Sequence, residues 1–288
     1  MKLTALSIAS LLLVQIPAAD ATPIHAFAIG YRHLASDAGS YSSYREHLVG
    51  LADRALAGAP TDGERVLVFP EDAALWALFM GARGTPFRVL EPLLRQMGGG
   101  NGAAVAVAGI FAAYQPQAAY YRAKFPEQNF SQARLGLLAL TDTLYRSFFE
   151  TFRRIAIDHG AWVVASANIA PAHVTTNPAV AALLGDPEAA LVGCVDHVGG
   201  SFDPPCAYEA ATANVYNQAF VFDPSGDLVY NPFAEAREAT LDGAVKKTYL
   251  VPTEQGPLEQ GKVGLDLAYG DLRQVRPVAI AGVPMGIV

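Results

Sequence analysis

Between residues 131 and 165 the chain leaves little choice of architecture. Leu135, Leu138, Leu144, Tyr145, Phe148, Phe149, Phe152 and Ile155 recur at helical spacing over 131–158, with Asp142, Arg146, Glu150, Arg153 and Arg154 off that stripe. An apolar stripe this wide is the core-facing side of a long helix rather than an aromatic ligand box. Gly160 stops it, and Trp162-Val163-Val164-Ala165 follows at once as a buried strand. A strand and a long helix packed this way need further elements around them to complete a layered domain.

Those elements are readable. Apolar runs at 26–29 and 65–69 predict strands. Ser43-Tyr44-Arg45-Glu46 reads as a capping box opening a helix whose Leu48, Leu51, Ala55 and Leu56 share a face, ending near Gly58-Ala59-Pro60. Thr85-Pro86 reads as the N-cap and first-turn proline of another helix. Gly98-Gly99-Gly100-Asn101-Gly102 lacks the Lys-Ser/Thr of a phosphate loop and reads as a flexible turn. Residues 171–213 read as loop-rich, and 217–222 and 227–230 flank Asp223-Pro224-Ser225-Gly226, a turn sequence that predicts a hairpin. Alternation of strand and helix, then strand-dense sequence, predicts one α/β domain over 22–288 with no repeat and no linker.

The first 21 residues read as a cleaved signal peptide. Met1-Lys2 is a minimal basic start, 3–17 is largely apolar, and Ala19-Asp20-Ala21 fits a small-x-small cleavage site, with a buried N-terminal helix or strand as the alternative. That stretch falls short of the ~20 apolar residues a bilayer span needs. The expectation is a secreted or periplasmic protein starting near Thr22, with no stable membrane span. The formal charge of −7 is unchanged by removal of Lys2 and Asp20, and an acidic chain argues against nucleic-acid binding. With 52% hydrophobic and 16% charged residues, the composition is that of a compact core. The two cysteines, Cys194 and Cys206, bracket a Gly-, Asp- and Pro-rich stretch and read as a disulfide in an exported protein. Asp196 and His197 lie between them, but no second Cys/His cluster completes a metal site.

The chemistry-bearing residues stand at strand ends. Val66-Leu67-Val68-Phe69-Pro70-Glu71 is an apolar run that ends in proline and then delivers a carboxylate. Lys246-Lys247-Thr248-Tyr249-Leu250-Val251-Pro252-Thr253-Glu254 ends another such run with a lysine and a second carboxylate. A base and a cation of this kind suit a site that generates a nucleophile and stabilises the charge it produces. Strand alternation points Lys246 and Lys247 to opposite faces, and Leu250 three residues on favours Lys247.

Four segments in register resemble the nitrilase, or carbon–nitrogen hydrolase, superfamily. These are Phe69-Pro70-Glu71, the strand Trp162-Val163-Val164-Ala165-Ser166-Ala167, the Tyr216-Asn217…Asp223-Pro224-Ser225-Gly226 hairpin, and Lys247-Thr248-Tyr249-Leu250. Pro70-Glu71-Asp72-Ala73, the signal peptide and the cysteine pair before the hairpin are similar to the secreted biotinidase/pantetheinase branch. The resemblance implies a four-layer α-β-β-α sandwich and a Glu–Lys–Cys site acting on a non-peptide amide or nitrile without metal or organic cofactor. Glu71 would be the general base, Lys247 the oxyanion stabiliser and Glu254 an assisting carboxylate.

The departure from that family lies at its nucleophile. Val278-Ala279-Ile280-Ala281 and Pro284-Met285-Gly286-Ile287-Val288 resemble the hairpin leading into the cysteine-bearing strand, and the thiol would fall just past Val288. Cys194 and Cys206 precede the lysine and do not match that position. The expectation is a C-terminally truncated domain without its nucleophile, with homo-oligomers formed only by a full-length form. A non-catalytic binding module of the same fold and an amide-forming N-acyltransferase relative stay open as alternatives.

Overall fold

A computed structural model describes residues 22–30, 34–71, 73–96, 109–186, 193–196, 199–229, 240–256 and 264–287. The expected signal peptide and the glycine cluster at 98–102 lie outside the described residues, as do His197 and Tyr230. The fold is mixed α/β around a five-stranded sheet ordered β1 (Ile24–Ala28), β2 (Glu64–Val68), β3 (Trp162–Ile169), β8 (Tyr216–Phe222) and β9 (Val245–Lys246). The first three strands are parallel, and β8 and β9 then run antiparallel to their neighbours. Parallel neighbours need long crossovers; α1 (Tyr41–Leu56) supplies the first, and the helices between β2 and β3 supply the second.

Helix α1 starts a turn before the expected Ser43. Ser40 is the N-cap: its hydroxyl accepts from the Ser43 N–H at 3.1 Å while the Ser43 hydroxyl accepts from the Ser40 N–H at 2.9 Å. Ser43 is therefore the reciprocal partner of a box that Ser40 opens. Helix α2 (Gly81–Gln96) likewise begins before Thr85, with Pro86 inside it. Arg88 reaches back to the Gly81 carbonyl at 2.8 Å, and Thr85 Oγ1 donates to the same oxygen at 3.3 Å.

After α3 (Gln115–Lys124), the long helical stretch opens at Ser131, whose side chain accepts from the Arg134 N–H, and closes at Gly160 with φ of 53°. It is segmented: α4 (Gln132–Ala139), a turn at Leu140, α5 (Thr141–Leu144), a π turn over Tyr145–Phe149, and α6 (Glu150–His159). The polar side of this stretch departs from expectation, because Asp142 and Arg146 are buried. Arg146 Nε donates to both Asp142 oxygens at 3.0 and 2.9 Å, and its Nη2 donates to the Cys206 carbonyl at 2.6 Å. Asp142 also accepts the backbone N–H groups of Asp186 and Tyr208, each at 2.8 Å. A buried pair is tolerated only when its remaining hydrogen-bonding capacity is met, and here the chain of 171–213 meets it.

The described part of that region holds more regular structure than its composition suggests. It carries β4 (Ala172–Thr175), α7 (Pro178–Leu184), β5 (Cys194–Val195), β6 (Ser201–Phe202) and β7 (Ala207–Ala210), with β4 paired to β7 and β5 to β6. Cys194 and Cys206 form a disulfide beside Arg146, as the sequence predicts.

The two faces of the central sheet carry different partners. Val163, Ala165, Ala167 and Ile169 of β3 join the main core with the helices, where Phe148, Phe149 and Phe152 are fully buried. Val66, Val164 and Val221 face the other way and pack with Val278 and Ile280. The last two belong to β10 (Val278–Ile280), which pairs antiparallel with β11 (Val283–Met285). Ala281 and Gly282 join them with φ of 52° and 76°, the left-handed pair of a tight hairpin turn. Among the described residues, no helix is long and apolar enough to cross a membrane.

Closing a loop of 12-residue separation should stabilise the native state by about 2–3 kcal/mol through the unfolded chain's entropy. Replacing both cysteines by serine should lower the urea midpoint accordingly, and thiol titration of the denatured, unreduced protein should find no free thiol. An unchanged midpoint would mean that the Arg146 network alone fixes the segment.

Candidate functional site

Glu71 is delivered by the end of β2. The Phe69 N–H continues the ladder to the Val164 carbonyl at 2.8 Å, and the Phe69 ring packs edge-on against Phe152 with centroids 4.7 Å apart. Pro70 cannot extend the pairing, and the turn that follows is tied to α1 by the Tyr44 hydroxyl donating to the Ala73 carbonyl at 2.9 Å. Glu71 thus projects from the carboxyl end of a parallel strand, where open α/β sheets commonly place their sites.

Lys247 comes from the far side of the sheet. Gln218 pairs with Lys246, and the Lys247 N–H donates to the Asn217 carbonyl at 2.8 Å, which extends β9 by one residue. The Gly270 N–H holds the Lys247 carbonyl at 2.9 Å. Leu250 is buried, and the chain turns through Val251, whose carbonyl accepts from the Glu254 N–H at 2.9 Å. Glu254 is returned to the lysine by this turn, and its Oε2 accepts from the Val251 N–H at 2.8 Å.

The three residues singled out in the sequence converge. Lys247 Nζ lies 2.5 Å from Glu71 Oε1, and 3.1 and 2.9 Å from the two oxygens of Glu254. Asn217 Nδ2 donates to Glu254 Oε1 at 2.5 Å and also to Glu71 Oε1. One ammonium and one amide therefore bridge two carboxylates that would otherwise repel each other. Glu254 and Asn217 are only 5% and 4% exposed, while the Glu71 side chain is half exposed. Burial opposes ionisation of Glu254, but the Asn217 amide, the Lys247 ammonium and the Val251 N–H outweigh it and hold its carboxyl below the usual carboxylate range. Burial also works against the Lys247 charge, and the hydrogen bonds to Glu71 and Glu254 overcome it, raising the ammonium above an ordinary lysine.

Glu71, Asn217 and Lys247 line a cavity of about 430 Å³ on the sheet face away from the helices. Lys246 also borders it, so strand alternation alone does not separate the two lysines. Their partners do: Lys246 Nζ is bound by Asp242 at 2.8 Å and lies 4.5 Å from the Tyr216 ring centroid. The disulfide is elsewhere, against the buried face of the helical layer. Asn217 has no role in the sequence reading beyond its place in the hairpin motif. Period-2 alternation from the core-facing Phe220 and Phe222 puts Asn217 on the opposite face of β8, but only the tertiary pairing sets it between the carboxylates. Among the described residues, no group of three or more His, Cys, Asp or Glu is arranged to hold a metal ion. Comparison of the chain with family models, with curated proteins and with solved structures finds no match in any of the three.

The shifts at Lys247 and Glu254 have opposite pH signatures. Glu254, held low, contributes stability that is fully present above its unfolded value of ~4.3 and is lost as pH falls through its folded value. Lys247, held high, contributes stability that is fully present below ~10.4 and is lost as pH rises through its folded value. Lys247→Met should therefore destabilise the protein by a constant amount between about pH 5 and 9, with the difference shrinking at both extremes. Urea midpoints measured across pH check this, and equal stability of the two proteins in the neutral range would dissolve the cluster as drawn.

Proposed function

We propose that the chain carries the acid–base half of a carbon–nitrogen hydrolase site of nitrilase type, acting on a non-peptide amide or nitrile. The observation that carries the reading is the Lys247 ammonium held between Glu71 and Glu254 on the lining of a cavity. The hairpin packed on the second sheet face supports a four-layer sandwich as the finer description of the fold. The disulfide and the apolar start support export to a secreted or periplasmic location.

In this reading Glu71 takes the proton of a thiol, and the thiolate attacks the substrate carbon. The oxyanion that forms is stabilised by Lys247, and Glu71 returns its proton to the departing amine. Water, activated by the same carboxylate, then releases the acid from the thioester. Glu254 and Asn217 hold the lysine and Glu71 in register. Both cysteines of the sequence are bridged, so the mechanism requires a thiol from outside residues 1–288.

An external nucleophile tests the half-site directly. Purified 22–288 given butyryl p-nitroanilide and hydroxylamine should release p-nitroaniline and form the hydroxamate at least ~10-fold faster than Glu71→Gln or Lys247→Met, a general acid–base contribution being worth 10²–10⁴ at most. Without hydroxylamine, release should stay at background. Equal rates for the three proteins would favour a binding module of the same fold. Hydrolysis without hydroxylamine, lost on Glu71→Gln, would place the nucleophile within the chain and refute its assignment elsewhere.

A further inference from the structure

The cavity beside the cluster has a chemistry of its own. Val68, Val164, Ala219, Val245, Val275 and Ile287 line it, and they come from β2, β3, β8, β9 and the segments around the β10–β11 hairpin. Glu71, Asn217 and Lys247 meet on its lining, and Ser166, Lys246, Thr248 and Tyr249 add further polar groups. At about 430 Å³ it is within the size range of small-molecule sites.

Charge then narrows what can fill it. Two cations border the cavity among the described residues, Lys246 and Lys247. Lys246 is bound to Asp242 and covers the Tyr216 ring, and Lys247 is shared by two carboxylates. An acyl group ending in a carboxylate would find both ammonium groups already paired, and it would meet the half-exposed Glu71 carboxylate on the way in. A cationic acyl group would lose its hydration against valine and isoleucine without a partner to replace it. A neutral hydrocarbon chain, by contrast, gains from every wall it covers.

Resting on the hydrolase reading, we infer that the substrate is a primary or simple secondary amide of an uncharged, unbranched aliphatic acid. The carbonyl meets Lys247, and the chain runs along the wall formed by Val68, Val164 and Val275. The cavity thus selects by apolar length and against charge at the far end of the acyl group.

Binding to purified 22–288, followed by NMR titration, tests this without requiring turnover. Hexanamide should bind at least tenfold more tightly than acetamide, and at least tenfold more tightly than adipamic acid, its ω-carboxylated counterpart. Val68→Trp, at a partly exposed position on the wall, should weaken hexanamide at least tenfold, and Val275→Trp at a second partly exposed position should do the same. Far-UV circular dichroism and the urea midpoint establish that each variant is folded. Adipamic acid binding as tightly as hexanamide would overturn the inference, as would folded tryptophan variants that bind hexanamide unchanged. Hexanol provides the separate control: if it binds as tightly as hexanamide, the apolar recognition stands and the amide chemistry of the proposed function falls.

Discussion

Seven consecutive residue pairs join β3 to β8, from Val163 opposite Phe222 to Ile169 opposite Tyr216, and this ladder sets the geometry of everything around it. It turns Phe220 and Phe222 toward the helices and Asn217, Ala219 and Val221 toward the cavity side. β2, on the far side of β3, ends at Val68, three residues before Glu71, and β9, on the far side of β8, ends at Lys246, one residue before Lys247. A slip of one residue would exchange the two faces of β8, burying Asn217 among phenylalanines and breaking the link between carboxylate and lysine. The register is held because the aromatic face fits the helical layer, with Phe148 against Phe220 and Phe149 against Phe222.

The cluster that results carries two carboxylates and one ammonium in a small, partly buried volume. Left alone, two carboxylates this close would raise one another's proton affinity. Glu254 is instead held ionised, by the Asn217 amide, the lysine and a backbone N–H. The distribution is uneven: Glu254 is buried and fully engaged, while Glu71 stays half exposed at the cavity. In the proposed reading, the accessible carboxylate is the one that exchanges the proton and the buried one only positions the cation. The same pairing sets the polarity of the cavity, since it leaves neither bordering ammonium unengaged among the described residues.

Much of this was legible in the sequence because it depended on local rules. An apolar run ended by Pro70 is sufficient to put Glu71 at a strand end, and the wide stripe from Leu135 to Ile155, closed by Gly160, is sufficient for the helical layer. The turn residues Asp223 and Gly226 made the turn readable, with Asp223 Oδ1 accepting from Ser225 and Asp227 and Gly226 at φ of 82°, but across it the described residues form an isolated Phe222–Leu228 bridge in place of the expected second strand. What was not legible depended on partners distant in the chain. Asp142 and Arg146 lie off the apolar stripe, and nothing local shows that 171–213 will fold over them. The start of α1 was misplaced by one turn because Ser40 and Ser43 are both capping residues and only their mutual bonds assign the roles. Asn217 lies 146 residues from Glu71, and no local pattern reveals that its amide will bridge two carboxylates.

The central claim is that Lys247 is shared between Glu71 and Glu254, and its own titration reports on that most directly. Followed through the Nζ nitrogen by NMR, the lysine should titrate above the ordinary ~10.4 in the intact protein. It should move down in Glu71→Gln and, separately, in Glu254→Gln, because each carboxylate contributes its own hydrogen bond and charge. An ordinary lysine value, unmoved by either substitution, would contradict the shared ion pair and the reading of the site built on it.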